Sequence, residues 1–179
     1  NEGCNLFIEK PLDLDLEKAT RFTDQVERSA CTVTVSAPLR FDLGVERFYS
    51  ALKEITAGGE PVQADLRISM YRPDCYYENR QWRIKDSAVF LNQGIHWLDL
   101  CNWFFGEPKL LSTQSKTTRP FLECPDESFG EIEYPNEVHL KAFATTNQQN
   151  SEEIHFCVQV GGKILDYASF VRWYDLLSR

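Results

Sequence analysis

The chain lacks most of the features that announce a function at first sight. No stretch approaches the roughly 18 apolar residues a membrane-spanning helix needs. The longest apolar-rich run, Ala88 to Phe105, is broken by Asn92, His96, Asp99 and Asn102. The opening NEGCNLFIEKPL has no basic region ahead of an apolar one, so it does not read as a secretory leader; it also has no initiator Met, which suggests that a segment upstream has been removed. Basic residues are few: 19 Lys and Arg stand against 27 Asp and Glu, a net charge of −8 with no basic cluster, which excludes nucleic acid as the expected partner. Cysteines fall at 4, 31, 75, 101, 124 and 157, with no Cys-x-x-Cys and no His/Cys group at metal-ligand spacing. No metal is therefore expected, and a reduced, cytoplasmic setting is the simplest reading. No G-x-G-x-x-G follows a strand, and the glycine pairs at 58–59 and 161–162 have the wrong spacing and context for one. There is no internal repeat and no low-complexity segment.

What is present fits one core, or a core plus a fragment of a second, in 179 residues, with aromatics at 13% supplying large side chains for packing. Asn5 to Ile8 reads as a short buried strand ended by Glu9-Lys10-Pro11. Asp13 or Asp15 can cap the helix that follows, where Leu16, Ala19, Phe22, Val26 and Ala30 recur at three- and four-residue intervals. Thr32 to Val35 alternates as a strand, completing a βαβ pattern over the first 36 residues. A second helix is expected from Gly44 to about Ala57, stopped by Gly58-Gly59. From Val62 to Met70 apolar and polar residues alternate strictly, the clearest strand of the chain. A third helix should run from Ala88 to Phe105 and end at Gly106. Strands then follow at Lys109–Thr118, Gly130–Tyr134, Glu137–Thr145 and Glu152–Val160, joined by polar turns that favour antiparallel pairing, and the tail from Ala168 to Leu177 reads as a short amphipathic helix. The fold class is thus α+β: a mainly antiparallel open sheet covered by helices on one face, preceded by a βαβ remnant. Cys31 and Cys101 sit in apolar patterns and read as core residues.

The third helix carries the most chemical information. Its apolar residues point around most of the circumference, so it should be largely buried. Asn92, His96, Asp99 and Trp103 nevertheless share one face at i, i+4, i+7 and i+11. An unpartnered buried polar group costs about 1–3 kcal/mol, so the stripe needs partners. Two readings stay open: a structural hydrogen-bond network, or a polar cavity holding a ligand, with His96 as the natural proton carrier. Lys10 is the other candidate, as a turn residue in solvent or as a functional group at a strand's carboxyl end, where α/β folds place ligands. His139 and His155 read as strand-surface or core residues.

The segments FIEKPLDLDLEKA and LNQGIHWLDLCNWFFGEP resemble two motifs of the Gfo/Idh/MocA oxidoreductases: the Glu-Lys-Pro strand end with its following helix, and the Gly-x-His-x-x-Asp helix closing on Gly-x-Pro. Their separation of about 85 residues agrees, and the likeness runs from Asn5 to Thr118, after which it is topological only. The resemblance implies an amino-terminal Rossmann domain, of which residues 1–36 would be the last part, and a substrate-binding and oligomerisation domain over 37–179. It implies hydride transfer between NAD or NADP and a sugar, cyclitol or nucleotide-sugar hydroxyl, the cofactor needing the amino-terminal domain that lies outside this sequence. Carried over, Glu9, Lys10 and a cis Pro11 would meet the cofactor's nicotinamide end, Lys10 would also stabilise alkoxide charge, and His96 would be the general base. Asn92, in Asn-x-Gly-Ile-His, and Arg40 and Trp82 are similar to the subgroup acting on UDP-linked N-acetylamino sugars, whereas Lys85-Asp86-Ser87-Ala88 departs from the glycine-rich approach to the motif helix. The isolated chain is expected to be inactive, and a homo-oligomer through the sheet is expected. The alternative is a non-catalytic oligomerisation or ligand-binding module of the same descent.

Overall fold

The computed structural model describes residues 5–78, 80–149 and 152–168. They form two compact units, one ending at Pro38 and the other beginning at Leu39.

In the first unit, β1 (Leu6–Ile8) and β2 (Val33–Val35) pair in parallel, Leu6 opposite Val33 and Ile8 opposite Val35, with α1 (Leu16–Glu27) between them in sequence. The Asp15 carboxylate accepts from the backbone N–H groups of Glu17 and Lys18 at 2.9 and 3.2 Å, which starts the helix at the second of the two expected caps. The strand–helix–strand pattern is therefore as read, but β1 is not buried: Leu6 is 46% and Phe7 71% exposed. On α1 only Ala19, Phe22 and Val26 of the expected stripe are half-buried, and Leu16 stands in solvent. Two strands and one helix have too little surface to cover both faces of the ribbon, so periodicity marks the elements without delivering burial. Cys31, expected in a core, is half-buried for the same reason. The Lys10–Pro11 peptide is cis, as the resemblance implied.

The second unit is a six-stranded sheet. Its strands are β3 (Val62–Ser69), β4 (Lys109–Lys116), β5 (Glu127–Tyr134), β6 (Val138–Thr145), β7 (Glu153–Val160) and β8 (Lys163–Asp166), in spatial order β4-β5-β6-β3-β7-β8. Every neighbouring pair is antiparallel except β3–β6. The run expected at Gly130–Tyr134 starts earlier, at Glu127, and β8 is an addition. It is formed because Gly161 and Gly162, with φ of +51° and +82°, make a two-residue hairpin after β7.

The alternation on β3 translates directly into two faces. Val62, Ala64, Leu66 and Ile68 are buried, and Gln63, Asp65 and Arg67 are exposed. The buried side joins Leu140 and Ala142 of β6 and Phe156 and Val158 of β7 in one core. That core is closed by α2 (Leu43–Thr56), through Val45, Phe48 and Leu52, and by the helix at Ile95–Phe105, through Trp97, Leu100, Cys101 and Phe105. Phe48 sits at its centre, 5.4 Å from the Phe156 ring and 5.5 Å from Tyr167. Each such side chain contributes about 1.5–3 kcal/mol by leaving water. A short helix, α3 (Gln81–Lys85), precedes the motif helix, which is α4 (Ile95–Phe105). The tail helix expected over 168–177 lies outside the described residues from position 169 onward. Among the described residues no helix is long and apolar enough to cross a membrane.

Candidate functional site

The motif helix does not begin as an α-helix. Phe90–Gly94 forms one π-helical turn that runs into α4. Buried Gly94 stands at the junction, where an added Cβ would lie 2.6 Å from Cδ1 of Phe90, so no larger residue fits without moving that ring. Such wide turns interrupt helices mainly where side chains must be re-aimed. Asn92 belongs to the π turn, while His96, Asp99 and Trp103 keep the i, i+3, i+7 spacing of one α-helical face.

The stripe has partners. Arg40, on the 3-10 turn Pro38–Phe41, donates to Asp99 through Nε at 2.8 Å and Nη2 at 2.6 Å. This is a bidentate fork in which the hydrogen bond to Asp99 holds the guanidinium pKa above its ordinary value. The same guanidinium lies 5.6 Å from the Trp103 ring centroid. Both partners stay about one-third exposed, so the pair is accessible from solvent. Asn92 Nδ2 donates to Ser87 Oγ at 2.6 Å and to the Tyr76 hydroxyl at 3.3 Å. Arg83 lies over the Tyr76 ring at 4.1 Å, which holds the phenol in place. His96 is half-buried on the exposed side of α4. Trp82, on α3, is 42% exposed, and its ring lies 5.2 Å from the guanidinium of Arg83.

Behind this face, a buried polar cluster fixes the approach to the motif helix. Asp126 accepts from Thr118 N–H and Thr118 Oγ1, both at 2.6 Å, and lies 3.8 Å from Arg119 Nε. Arg119 in turn donates to the Thr146 carbonyl at 2.6 Å. The strand end it organises receives the motif segment: Val89 N–H donates to the Pro125 carbonyl at 3.0 Å, and Glu123 N–H to the Ile84 carbonyl at 2.9 Å. Tyr76, Ser87, Arg119 and Asp126 were not singled out in the sequence. Only the departure at Lys85–Ala88 marked Ser87's neighbourhood, and no local pattern marks the rest.

In the first unit, Glu9 is exposed, and Lys10 and Pro11 are half-buried at the carboxyl end of β1. Burial draws the Lys10 ammonium pKa below its ordinary value, partly offset by the Glu9 carboxylate. A cleft of about 420 Å³ lies elsewhere, lined by Tyr49, Lys53, Glu60, Phe104, Pro135 and Glu137, and holds none of these candidates.

Residues 50–163 match the model of the Gfo/Idh/MocA C-terminal domain. The chain belongs to this family. Its fold is similar to that of the WlbA dehydrogenase of Bordetella pertussis, solved with NADH and UDP-GlcNAcA, at a TM-score of 0.78 and 19% identity, over 87% of this chain and 46% of that one. Myo-inositol 2-dehydrogenase of Lactobacillus plantarum gives 0.75 and 15% over 90% of this chain and 50% of that one. An Agrobacterium radiobacter oxidoreductase, solved with NAD+, L-tartaric acid and magnesium, gives 0.75 and 15% over 89% and 47%. No curated protein sequence matches. This chain spans about half the length of these solved relatives.

The residues that the family resemblance assigns to a dinucleotide, Glu9, Lys10 and Pro11, stand together at the carboxyl end of β1. The amino terminus of α1 is occupied by the Asp15 carboxylate, which takes the N–H groups an anion would need. No glycine-rich turn joins β1 to α1. A pyrophosphate would have to be held by groups other than these, and Lys10 stands at the carboxyl end of β1.

Proposed function

We propose that this chain is the carboxy-terminal, substrate-handling part of an oxidoreductase that moves hydride between NAD or NADP and a hydroxyl of a sugar or nucleotide sugar. The observation that carries the proposal is the motif helix itself: a π turn that seats Asn92 on Ser87 and Tyr76, followed by His96 one step from the Arg40–Asp99 fork. Bound nicotinamide supplies the hydride acceptor. His96 takes the hydroxyl proton on an imidazole nitrogen as the C–O bond becomes a carbonyl. Lys10, a partly desolvated ammonium at the carboxyl end of β1, is the group suited to stabilise negative charge developing on a substrate oxygen. Arg40 uses two of its five N–H groups on Asp99, and the remaining donors suit an anionic group such as a diphosphate. Exposed Trp82 offers a face for stacking a base or sugar ring. A nucleotide-sugar substrate is in keeping with the UDP-GlcNAcA held by the Bordetella relative. The uncovered sheet face around Gln63, Asp65 and Arg67 supports self-association, and the reading places the enzyme in the cytoplasm.

A second reading, a non-catalytic binding or oligomerisation module, is favoured by one observation: the exposed polar face of β3 at Gln63, Asp65 and Arg67. Kinetics of the full-length protein carrying this chain separate the two. His96→Ala should lower turnover by about 10²–10⁴-fold while substrate affinity measured by equilibrium dialysis moves far less. Full turnover in both His96→Ala and Lys10→Ala would sink the mechanism.

A further inference from the structure

On the uncovered face of the sheet, away from the motif helix, the fold assembles a group of side chains that no sequence motif announces. His155 and Cys157 are two apart on β7 and so share a face. The Gly161–Gly162 hairpin sets the register of β8 so that Asp166 stands directly opposite Cys157. On the other side of Cys157, β3 places Asp65 directly opposite it. One ligand atom each from His155, Cys157 and Asp166 lies within 4.8 Å of the other two. The closest pair is His155 Nε2 to Asp166 Oδ2 at 3.0 Å. All three side chains are half-buried, so an ion can reach them and bulk water does not fully screen them.

We propose that His155, Cys157 and Asp166 form a site for a borderline transition-metal dication, best suited to zinc. The donor set is one imidazole nitrogen, one thiolate and one carboxylate oxygen; the thiolate and imidazole select against calcium and magnesium, which want oxygen alone. Tetrahedral zinc with bonds of about 2.0–2.3 Å needs its donors about 3.3–3.6 Å apart, so the observed spacing closes around the ion with side-chain adjustments of about 1 Å or less. Thiolate and carboxylate together neutralise the dication, and Asp65 adds a further carboxylate on the cation's side of Cys157. Three protein donors leave the fourth position to water or another ligand. The ion would also join the edge strand β8 to β7 by something stronger than backbone bonds over its four residues.

The bland account is a surface His–Asp hydrogen bond with an unrelated thiol nearby. The two differ in what the sulfur does. The full chain is titrated with Co²⁺ alone, following the near-ultraviolet thiolate-to-cobalt charge-transfer absorption, and Zn²⁺ is then added as competitor. A band saturating at one cobalt per chain and bleached by zinc supports the site. Cys157→Ser should abolish the band, and His155→Ala and Asp166→Asn should each weaken cobalt binding by about tenfold or more, since even an outer-shell partner is worth about 10- to 100-fold. Cys75→Ser, at an exposed cysteine elsewhere, should leave it unchanged. Absence of the band at stoichiometric cobalt, or its survival in Cys157→Ser, would overturn the proposal. Because the three residues lie outside the motif helix, neither result depends on the oxidoreductase reading.

Discussion

Asp126→Ala tests how the second unit holds its functional helix. The Asp126 side chain is 2% exposed and that of Arg119 7% exposed, so neither charge is solvated by water in the folded state. Truncation removes two 2.6 Å hydrogen bonds to an ionised acceptor, each worth about 1.5–3 kcal/mol but not additive because both come from Thr118. It also leaves Arg119 buried with the Thr146 carbonyl and Asn147 Oδ1 as its acceptors and no counter-charge. Breaking a buried pair from one side costs about 3–5 kcal/mol, and that figure bounds the whole effect. For a chain of this length the melting temperature should fall by about 2–4 °C per kcal/mol, hence about 6–20 °C. Urea melts should show a lower midpoint with an unchanged slope. Asp126→Asn keeps one acceptor for the Thr118 N–H and should cost about 1–2 kcal/mol, which remains measurable if the alanine variant unfolds. The cycle with Arg119→Met isolates the charge: the double variant should be more stable than the sum of the singles by about 0.5–3 kcal/mol. A cost below about 1 kcal/mol for Asp126→Ala, or singles that simply add, would refute the account of this cluster as the anchor of the motif segment.

Two further outcomes follow from the geometry. In a double-mutant cycle, Arg40→Ala and Asp99→Ala should couple by about 1 kcal/mol or less in chain stability, because both groups are about one-third exposed; a coupling above about 2 kcal/mol in urea melts would show the fork to be a structural keystone instead. At high pH the fold should weaken: burial pushes the Cys101 thiol pKa up from 9.0, and that of the Tyr167 phenol from 10.0 to about 12. Both groups are held neutral in the fold, so their stabilisation is complete below the unfolded values and is lost as pH rises towards the folded ones. Urea melts should therefore lose up to about 1.4 kcal/mol per pH unit per group, beginning near pH 9, and Cys101→Ala should flatten the first part of that decline; a stability independent of pH from 8 to 11 would contradict the burial of both groups.

How much of this was legible follows the range of the interactions. Alternation on β3 gave its buried and exposed faces residue by residue, because a strand's side chains report their face every second position. The Asp15 cap and the run Leu43–Thr56 were equally local. The same local logic overstated β1, where Phe7 is 71% exposed: an apolar run says what a residue would gain from cover, not whether cover exists. Pairing that joins distant segments was not legible. The parallel β3–β6 pair breaks a sheet that polar turns marked as antiparallel, and nothing in either strand's own residues encodes it.

The candidate site divides along the same line. His96, Asp99 and Asn92 were visible as polar positions on an apolar helix, and the demand that such groups find partners was correct. The partners themselves, Arg40 for Asp99 and Ser87 with Tyr76 for Asn92, come from elements whose approach to α4 depends on the sheet beneath them. The π turn is hidden for a different reason: one extra residue in a helical turn changes the aim of Asn92 while leaving the apolar periodicity almost intact. The His155–Cys157–Asp166 group lies between these cases. His155 and Cys157 share a face at a spacing of two, and the glycine pair at 161–162 marks a hairpin; together they fix Asp166 opposite Cys157. A search for metal motifs along the chain passes over it because the third donor is set by strand register rather than by sequence spacing. In a sheet protein, the turn glycines are therefore part of the ligand pattern.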